Sequence, residues 1–260
     1  MTAQVTEKVQ CSHSEEGQLL RVELHSPKGN VIDLDVIHAL SAIWKDAKKN
    51  PRLKALMLCG AGEHFSFGAS VPEHRADQVG QMLPLFHQCV RALCELNIPS
   101  FAILHGSCLG GGLELAAGCI YLYATPGAKL AQPEIKLGVF APLGSILLPW
   151  RIGGRALDLL VSGRTLAALE AKELGLLSVI EPEPEVACLA FIRKHILPLS
   201  ASSLRFAERV ARRSLARALN EDLPAIEKLY LEELMATPDA SEGIEAFLAK
   251  RPPRYQGEGG

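Results

Sequence analysis

Glu114 and Glu134 are the residues around which chemistry is most readily imagined. Glu114 falls inside the apolar run Leu113-Glu-Leu-Ala-Ala117, straight after Gly110-Gly111-Gly112, and Glu134 falls in Gln132-Pro-Glu-Ile135 after a second apolar run. Acidic side chains are rarely buried without a partner or a purpose. A strand that runs through glycines into a helix leaves backbone N–H groups unpaired at the helix start. Glycine lets a second molecule approach those groups, because no Cβ stands in the way. Two carboxylates beside free amides suit general acid/base chemistry next to an oxyanion hole. The same residues also have a plain reading, in which Glu114 favours a helix dipole and Glu134 sits on an ordinary turn.

The elements that must position these groups follow from the apolar pattern. Pro99 introduces Phe101-Ala-Ile-Leu104, a buried strand. Residues 18–25 alternate as a half-buried strand, and Pro27-Lys28-Gly29-Asn30 turns the chain. Asp33 or Asp35 can cap a helix to about Lys49 with Val36, Ile37, Leu40, Ile43 and Trp44 on its apolar side; Asn50-Pro51 ends it. Residues 53–59 are a buried strand, so the opening reads strand, helix, strand. The polar loop 60–74 sits where open α/β sheets place ligands. Residues 78–95 carry a helical period with Pro84 as a distortion. After the unusually apolar 138–150 come a helix over 156–161, a helix over 166–174 capped by Thr165 and ended by Gly175, and a short strand at 176–180. The rest is helical, with breaks near Pro198 and Thr237. A shift in composition near residue 200 divides an α/β core, 1–199, from a helical C-terminal region, 200–260, and the tail 256–260 reads as disordered.

Composition narrows the class. The chain has 260 residues, 48% hydrophobic and 22% charged, with a net charge of −2. That is the make-up of a globular protein with a large core and gives no general attraction to nucleic acid or anionic lipid. No apolar stretch is long enough to span a bilayer, and residues 1–10 lack a signal core. Seven cysteines form no CxxC pair, and most of them (Cys59, Cys89, Cys94, Cys119, Cys188) lie in apolar runs and read as small core residues of a cytoplasmic protein. His64 and His74 flank the first loop without metal-ligand company, and no metal is expected. Arg205, Arg209, Arg212 and Arg213 lie at helical spacing, as a solvated face or a phosphate contact.

Four motifs in order resemble the crotonase (enoyl-CoA hydratase/isomerase) superfamily: Phe65-Ser-Phe-Gly-Ala69-Ser70, Gly110-Gly-Gly-Leu-Glu114, Gln132-Pro-Glu134, and Glu242-Gly-Ile-Glu-Ala-Phe247-Leu-Ala-Lys250-Arg-Pro252. The resemblance implies an α/β, crotonase-like (ββα) superhelix with a helical C-terminal trimerisation region, assembled as a homotrimer or dimer of trimers. It implies an acyl-CoA thioester substrate, coenzyme A being part of that substrate, and no separate cofactor. It places an oxyanion hole at the N–H groups of Ala69 and Gly111. Glu134 would be the main proton donor and acceptor, and Glu114 would position and activate a water. Lys28 would meet a CoA phosphate, and Phe247 and Lys250 would reach the adenine end, often across a subunit boundary. Their plain readings are a solvated Lys28, a helix-packing Phe247 and a surface Lys250.

The chain also departs from the family pattern. Ser70 stands where an aspartate is usual and Pro72 where many members have a lysine. A polar Thr-Gln-Arg run after the second glutamate gives way to Ile146-Leu-Leu148. Gly68-Ala-Ser70-Val71-Pro72-Glu-His74 with Gly138-Val-Phe140-Ala-Pro142 resembles the subfamily of cyclohexa-1,5-diene-1-carbonyl-CoA hydratases of anaerobic benzoyl-CoA degradation. Phe140, Pro142, Ile146 and Leu147 would wall an apolar acyl pocket suited to a compact ring, with water adding at the distal alkene carbon of a ring dienoyl thioester. Three other readings stand beside this one: a general enoyl-CoA hydratase/isomerase of fatty-acid oxidation; a hydrolase using Cys108 in the elbow Gly106-Ser-Cys-Leu-Gly110 with His195; and a non-catalytic acyl-CoA-binding protein of the same fold.

Overall fold

The computed structural model describes residues 7–257. The nine strands among these residues are β1 (Val9–Ser14), β2 (Leu19–Leu24), β3 (Ala55–Gly60), β4 (Ser100–Leu104), β5 (Ser107–Leu109), β6 (Tyr121–Ala124), β7 (Lys129–Ala131), β8 (Thr165–Ala167) and β9 (Val179–Ile180). They make a six-stranded sheet in the order β1-β2-β3-β4-β6-β9 and a three-stranded sheet in the order β5-β7-β8. In the large sheet only β1 and β2 are antiparallel. Every residue of β3 and β4 is buried, because parallel strands covered on both faces become continuous apolar runs.

After a 3-10 turn at Glu15–Gly17, the first α-helical turn is α1 (Pro27–Asn30), in which Lys28 and Gly29 are left-handed. It is followed by α2 (Leu34–Lys48), α3 (Val79–Cys94), α4 (Gly111–Ala117), α5 (Gly144–Ile152), α6 (Ala156–Ser162), α7 (Ala168–Glu173) and α8 (Pro184–His195). Asp33 caps α2 by accepting from the Val36 N–H at 3.1 Å, and Val36, Ile37, Leu40, Ile43 and Trp44 are buried beneath it as their spacing requires. The helical end comprises α9 (Ala201–Ala211), α10 (Arg213–Glu221), α11 (Leu223–Lys228) and α12 (Pro238–Leu248). Leu215, Leu219 and Leu223 join the main core cluster.

A repeated strand–strand–helix unit links the two sheets. β4 and β6 lie side by side in the large sheet, and the strands that follow them, β5 and β7, lie side by side in the small one. Between β3 and α3 the chain adds a third crossing, in which Ser66 bridges Cys108 in parallel. Cys108 in turn pairs with Leu130. Three successive passes therefore cross one small sheet in register, and each leaves it on the same side.

Several local expectations are revised. β1 is a strand absent from the sequence reading: its residues after Val9 are mostly exposed or half-buried, and a polar edge strand has no apolar signature. Residues 107–109, read as part of a glycine loop, form β5. Thr165 does not cap a helix; it opens β8, and α7 begins three residues later. Arg205 and Arg212 are not on a solvated face. Arg212 is buried in an ion pair with Glu208 at 3.1 Å and donates to the Gly118 carbonyl, while Arg205 donates to the carbonyls of Asn50, Leu53 and Leu96. The tail is anchored through Gly257, with the Gln256 and Gly257 N–H groups on the Asp239 carboxylate; the expected disorder of 258–260 lies outside the described residues.

Candidate active site

The three passes through the small sheet deliver the chemistry. Three residues beyond Ser66 stands Ala69, three beyond Cys108 stands Gly111, and four beyond Leu130 stands Glu134. At Ala69 a parallel bridge to Ile32 decides direction. Ile32 N–H donates to Gly68 O and Ser70 N–H donates to Ile32 O, both at 2.9 Å. Ala69, lying between them, turns its own N–H to the other side, as alternation in an extended chain requires. Gly111, the first residue of α4, also has an N–H without an acceptor among the described residues, as the first turn of a helix leaves it. The two are neighbours: a Cβ built on Gly111 would stand 3.0 Å from Ala69 N.

Gly110 makes the turn between β5 and α4 with φ 50° and ψ −127°, a conformation open to glycine and strained for other residues. A Cβ there would also meet Glu134 Oε1 at 2.6 Å. Glu134 sits on a 3-10 turn, Pro133–Leu137, ended by left-handed Gly138. Gln132 Nε2 donates to its Oε1 at 3.1 Å, while its Oε2 is buried with no partner among the described residues. Glu114, on α4, is 5% exposed and its Oε1 accepts the Gly144 N–H at the start of α5, 2.6 Å away. Burial raises the pKa of both carboxyls. For Glu114 the Gly144 N–H opposes that rise by favouring the anion, whereas for Glu134 the charge of Glu114 adds to it. The pair therefore keeps a proton to higher pH than free carboxyls do, and the Gly144 N–H on Glu114 favours the ionised form of that partner.

Both carboxyls and the Ala69 and Gly111 backbones line one cavity of about 480 Å³. Val71, His74, Phe140, Pro142 and Phe247 line it as well, Phe247 half-exposed at its mouth. Burial lowers the His74 pKa, and its Nδ1 is 2.9 Å from Ser70 O. Lys28, Ser70, Pro72 and Lys250 do not line the cavity. The Lys28 turn reaches it only through Gly29, which packs beneath the wall residue Phe67. Ser70 spends its backbone on Ile32 and His74. Ile146 and Leu147, expected in the acyl wall, lie on α5 and are instead buried in the main core, because α5 turns that face inward.

Sequence reasoning missed Met82, Leu83 and Phe86 of α3, and Tyr230, Lys136 and Arg251, all of which line the cavity. The apolar stripe of α3 was visible, but a stripe does not say whether it meets a core or a cavity. Tyr230 carried no signal in a generally helical stretch. The chain after α12 closes back on the Glu134 turn: Tyr255 Oη donates to Lys136 O at 2.8 Å, and Arg251 pairs with Glu242 at 2.6 Å.

The cysteine elbow does not form. Cys108 lies on β5 with no exposed surface, burial pushes its thiol far up, and its side chain belongs to the main core. His195 is on α8, packed on Phe191. That helix covers the other face of the large sheet, with Phe101, Ile103 and Tyr123. A buried thiol with its only downstream histidine across a sheet is no nucleophile.

Among known proteins, the family described as enoyl-CoA hydratase/isomerase matches residues 14–258. A protein of Thauera aromatica named cyclohexa-1,5-dienecarbonyl-CoA hydratase is 48% identical over 242 residues, covering 93% of this chain and 94% of that protein. A probable enoyl-CoA hydratase of Bacillus subtilis (strain 168) is 32% identical over 253 residues, covering 90% and 94%. Among solved structures, an enoyl-CoA hydratase from Mycobacterium avium subsp. paratuberculosis K-10 superposes with a TM-score of 0.84 at 24% identity, covering 96% of this chain and 99% of that one. One from Bacillus halodurans gives 0.85 at 20% identity, covering 92% and 99%. These two structural matches carry the fold, a crotonase-like α/β architecture with a helical C-terminal region.

Proposed function

Because the chain belongs to the enoyl-CoA hydratase/isomerase family, we propose that it is a cytoplasmic hydratase acting on a cyclic dienoyl-CoA thioester, cyclohexa-1,5-diene-1-carbonyl-CoA. The observation that carries this reading is the carboxyl pair facing two free backbone N–H groups across an apolar cavity. The thioester oxygen lies between the Ala69 and Gly111 N–H groups, which stabilise it most when negative charge develops there. Ionised Glu114 takes a proton from water as its oxygen attacks, and protonated Glu134 gives a proton to carbon. Neither step needs a metal or redox cofactor.

The conjugation decides which carbon takes which group. Attack at ring carbon 2, β to the carbonyl, sends charge onto the thioester oxygen and through the extended enolate to ring carbon 5. The proton from Glu134 is added there, leaving a ring alkene conjugated to the thioester. Attack at the distal carbon, as first expected, would leave charge that the carbonyl cannot accept, so the oxyanion site would contribute nothing. The Thauera aromatica relative and the compact walls of Phe140 and Pro142 support the ring substrate. A rigid ring is bound with little ordering cost, which favours it over a flexible chain. Comparing kcat/KM on cyclohexa-1,5-diene-1-carbonyl-CoA and crotonyl-CoA tests this, with the ring thioester expected to be preferred at least ten-fold, about 1.4 kcal/mol. Equal or better use of crotonyl-CoA would point to a general enoyl-CoA hydratase, the second reading, and remove the ring assignment.

The helical region 200–260 is proposed to carry assembly into a trimer or a dimer of trimers. Support comes from Phe206 and Val210 on α9, which are 59% and 69% exposed, since large apolar side chains clustered on one helix mark contact surfaces. Sedimentation at micromolar concentration should give a species of at least three chains; a monomer alone would sink the assembly. No helix among the described residues is long and apolar enough to cross a membrane, and no nucleic-acid partner is proposed.

A further inference from the structure

Tyr230 is a buried polar group of the cavity that the chemistry above leaves unused. It is 1% exposed, its ring stands edge-on to Phe140 with centroids 5.3 Å apart at 68°, and it lines the cavity with both glutamates. Its hydroxyl has no hydrogen-bond partner among the described residues. Buried hydroxyls are costly to leave unpaired, so a ligand or water must satisfy this one when the site is filled. The backbone is also unusual here. Residues Leu229–Glu233 form a π turn between α11 and the short 3-10 turn Leu234–Ala236. Such a turn holds one residue more than an α-turn, and wide turns of this kind recur at functional sites. Burial, then the charges of Glu134 and Glu114, push the phenol pKa up. The phenol keeps its proton throughout and has an O–H to donate to a ligand.

We propose that Tyr230 is a catalytic residue of the hydration: its O–H donates a hydrogen bond to the oxygen being added, first as the water held between Glu114 and Glu134 and then as the new hydroxyl of the product. The proposal rests on the hydratase reading. No bond to Tyr230 forms or breaks; the proton taken from water goes to Glu114, and the phenol fixes the direction of the attacking oxygen. A water held by two carboxyls alone can rotate between them, whereas a third contact leaves one lone pair aimed at the β carbon. The same contact distinguishes ligands, because only one that carries or receives an oxygen at that carbon benefits from it.

Tyr230→Phe tests the idea, since it keeps the ring and its packing on Phe140 and removes only the hydroxyl. Two quantities are measured on wild type and variant: kcat and KM for hydration of cyclohexa-1,5-diene-1-carbonyl-CoA, and the inhibition constant of cyclohexanecarboxyl-CoA, which has the same ring and nothing to hydrate. The expected result is a kcat lower by roughly ten- to a hundred-fold, with KM and the inhibition constant within two-fold of wild type. An unchanged kcat would overturn the role of the hydroxyl and leave the hydratase reading standing. Parallel losses in kcat and in binding of the saturated thioester would also overturn it, by showing that the hydroxyl only supports the shape of the cavity. A wild-type enzyme that binds the saturated thioester but adds water to no unsaturated one would overturn both readings.

Discussion

Glu134→Gln is expected to lower turnover about a hundred-fold or more, the usual range for a positioned acid/base group, and to make the folded protein more stable in alkaline solution. Both effects have one source. The carboxyl of Glu134 is buried beside that of Glu114, with one oxygen unpaired, so the site holds a proton that water would not. Glutamine has nearly the same shape but no proton to give to carbon. The stability effect follows from linkage. Each carboxyl has a folded-state pKa raised above its ordinary value of 4.5, so between the two values the folded protein binds more protons than the unfolded chain. Stability from this source is fully present below pH 4.5 and is lost as pH rises through the raised values. Gln cannot ionise and relieves Glu114 of a competing charge. Wild type and Glu134→Gln should therefore melt alike near pH 4.5, and the variant should melt progressively higher as the pH approaches 8. Glu114→Gln should show a similar loss of turnover. Normal rates in the double substitution would end the two-carboxylate mechanism; a melting difference independent of pH would contradict the buried, shared proton.

Gly110→Ala is the second large expected effect, and it acts on the same carboxyl without touching it chemically. Two penalties combine. The backbone at φ 50°, ψ −127° is strained for alanine by about 1–3 kcal/mol. The new methyl would also stand 2.6 Å from Glu134 Oε1, a distance that only movement of the carboxyl can relieve. Displacement of a reacting group by about 1 Å can cost roughly a hundred-fold in rate, so kcat should fall by about that factor while thioester binding changes much less. Gly154→Ala is the control: it has open space around it and no left-handed backbone, and should be near neutral in both rate and melting temperature. Equal behaviour of the two variants would show that Gly110 places nothing.

Much of this arrangement was legible in the linear chain, for physical reasons. The buried parallel strands β3 and β4 declare themselves because both faces are covered, and α2 because its cap Asp33 and its apolar stripe act within a few residues of each other. Gly110 and Gly111 with Glu114 could be read as a site because a carboxylate in an apolar run next to glycines has few structural uses. Glu134 stood out in the same way after a second apolar run, and family likeness then brought in Ala69. What could not be read depended on contacts between distant segments. Three crossings of the small sheet in register bring Ala69, Gly111 and Glu134 together, and that register is set by backbone pairing, which leaves no mark in side-chain type. Whether an apolar residue lines a cavity or fills a core is likewise a tertiary matter. Phe140 and Ile146 look alike in sequence, yet one meets Tyr230 at the cavity wall and the other points from α5 into the main core. Cys108 satisfied a local nucleophile pattern, and only the placement of its strand inside the core removed it. The sequence by itself determined the chemical groups and the local turns that present them. Tertiary structure decided which of those groups share a cavity and a proton, because burial and mutual charge exist only once separate segments have packed around the same space.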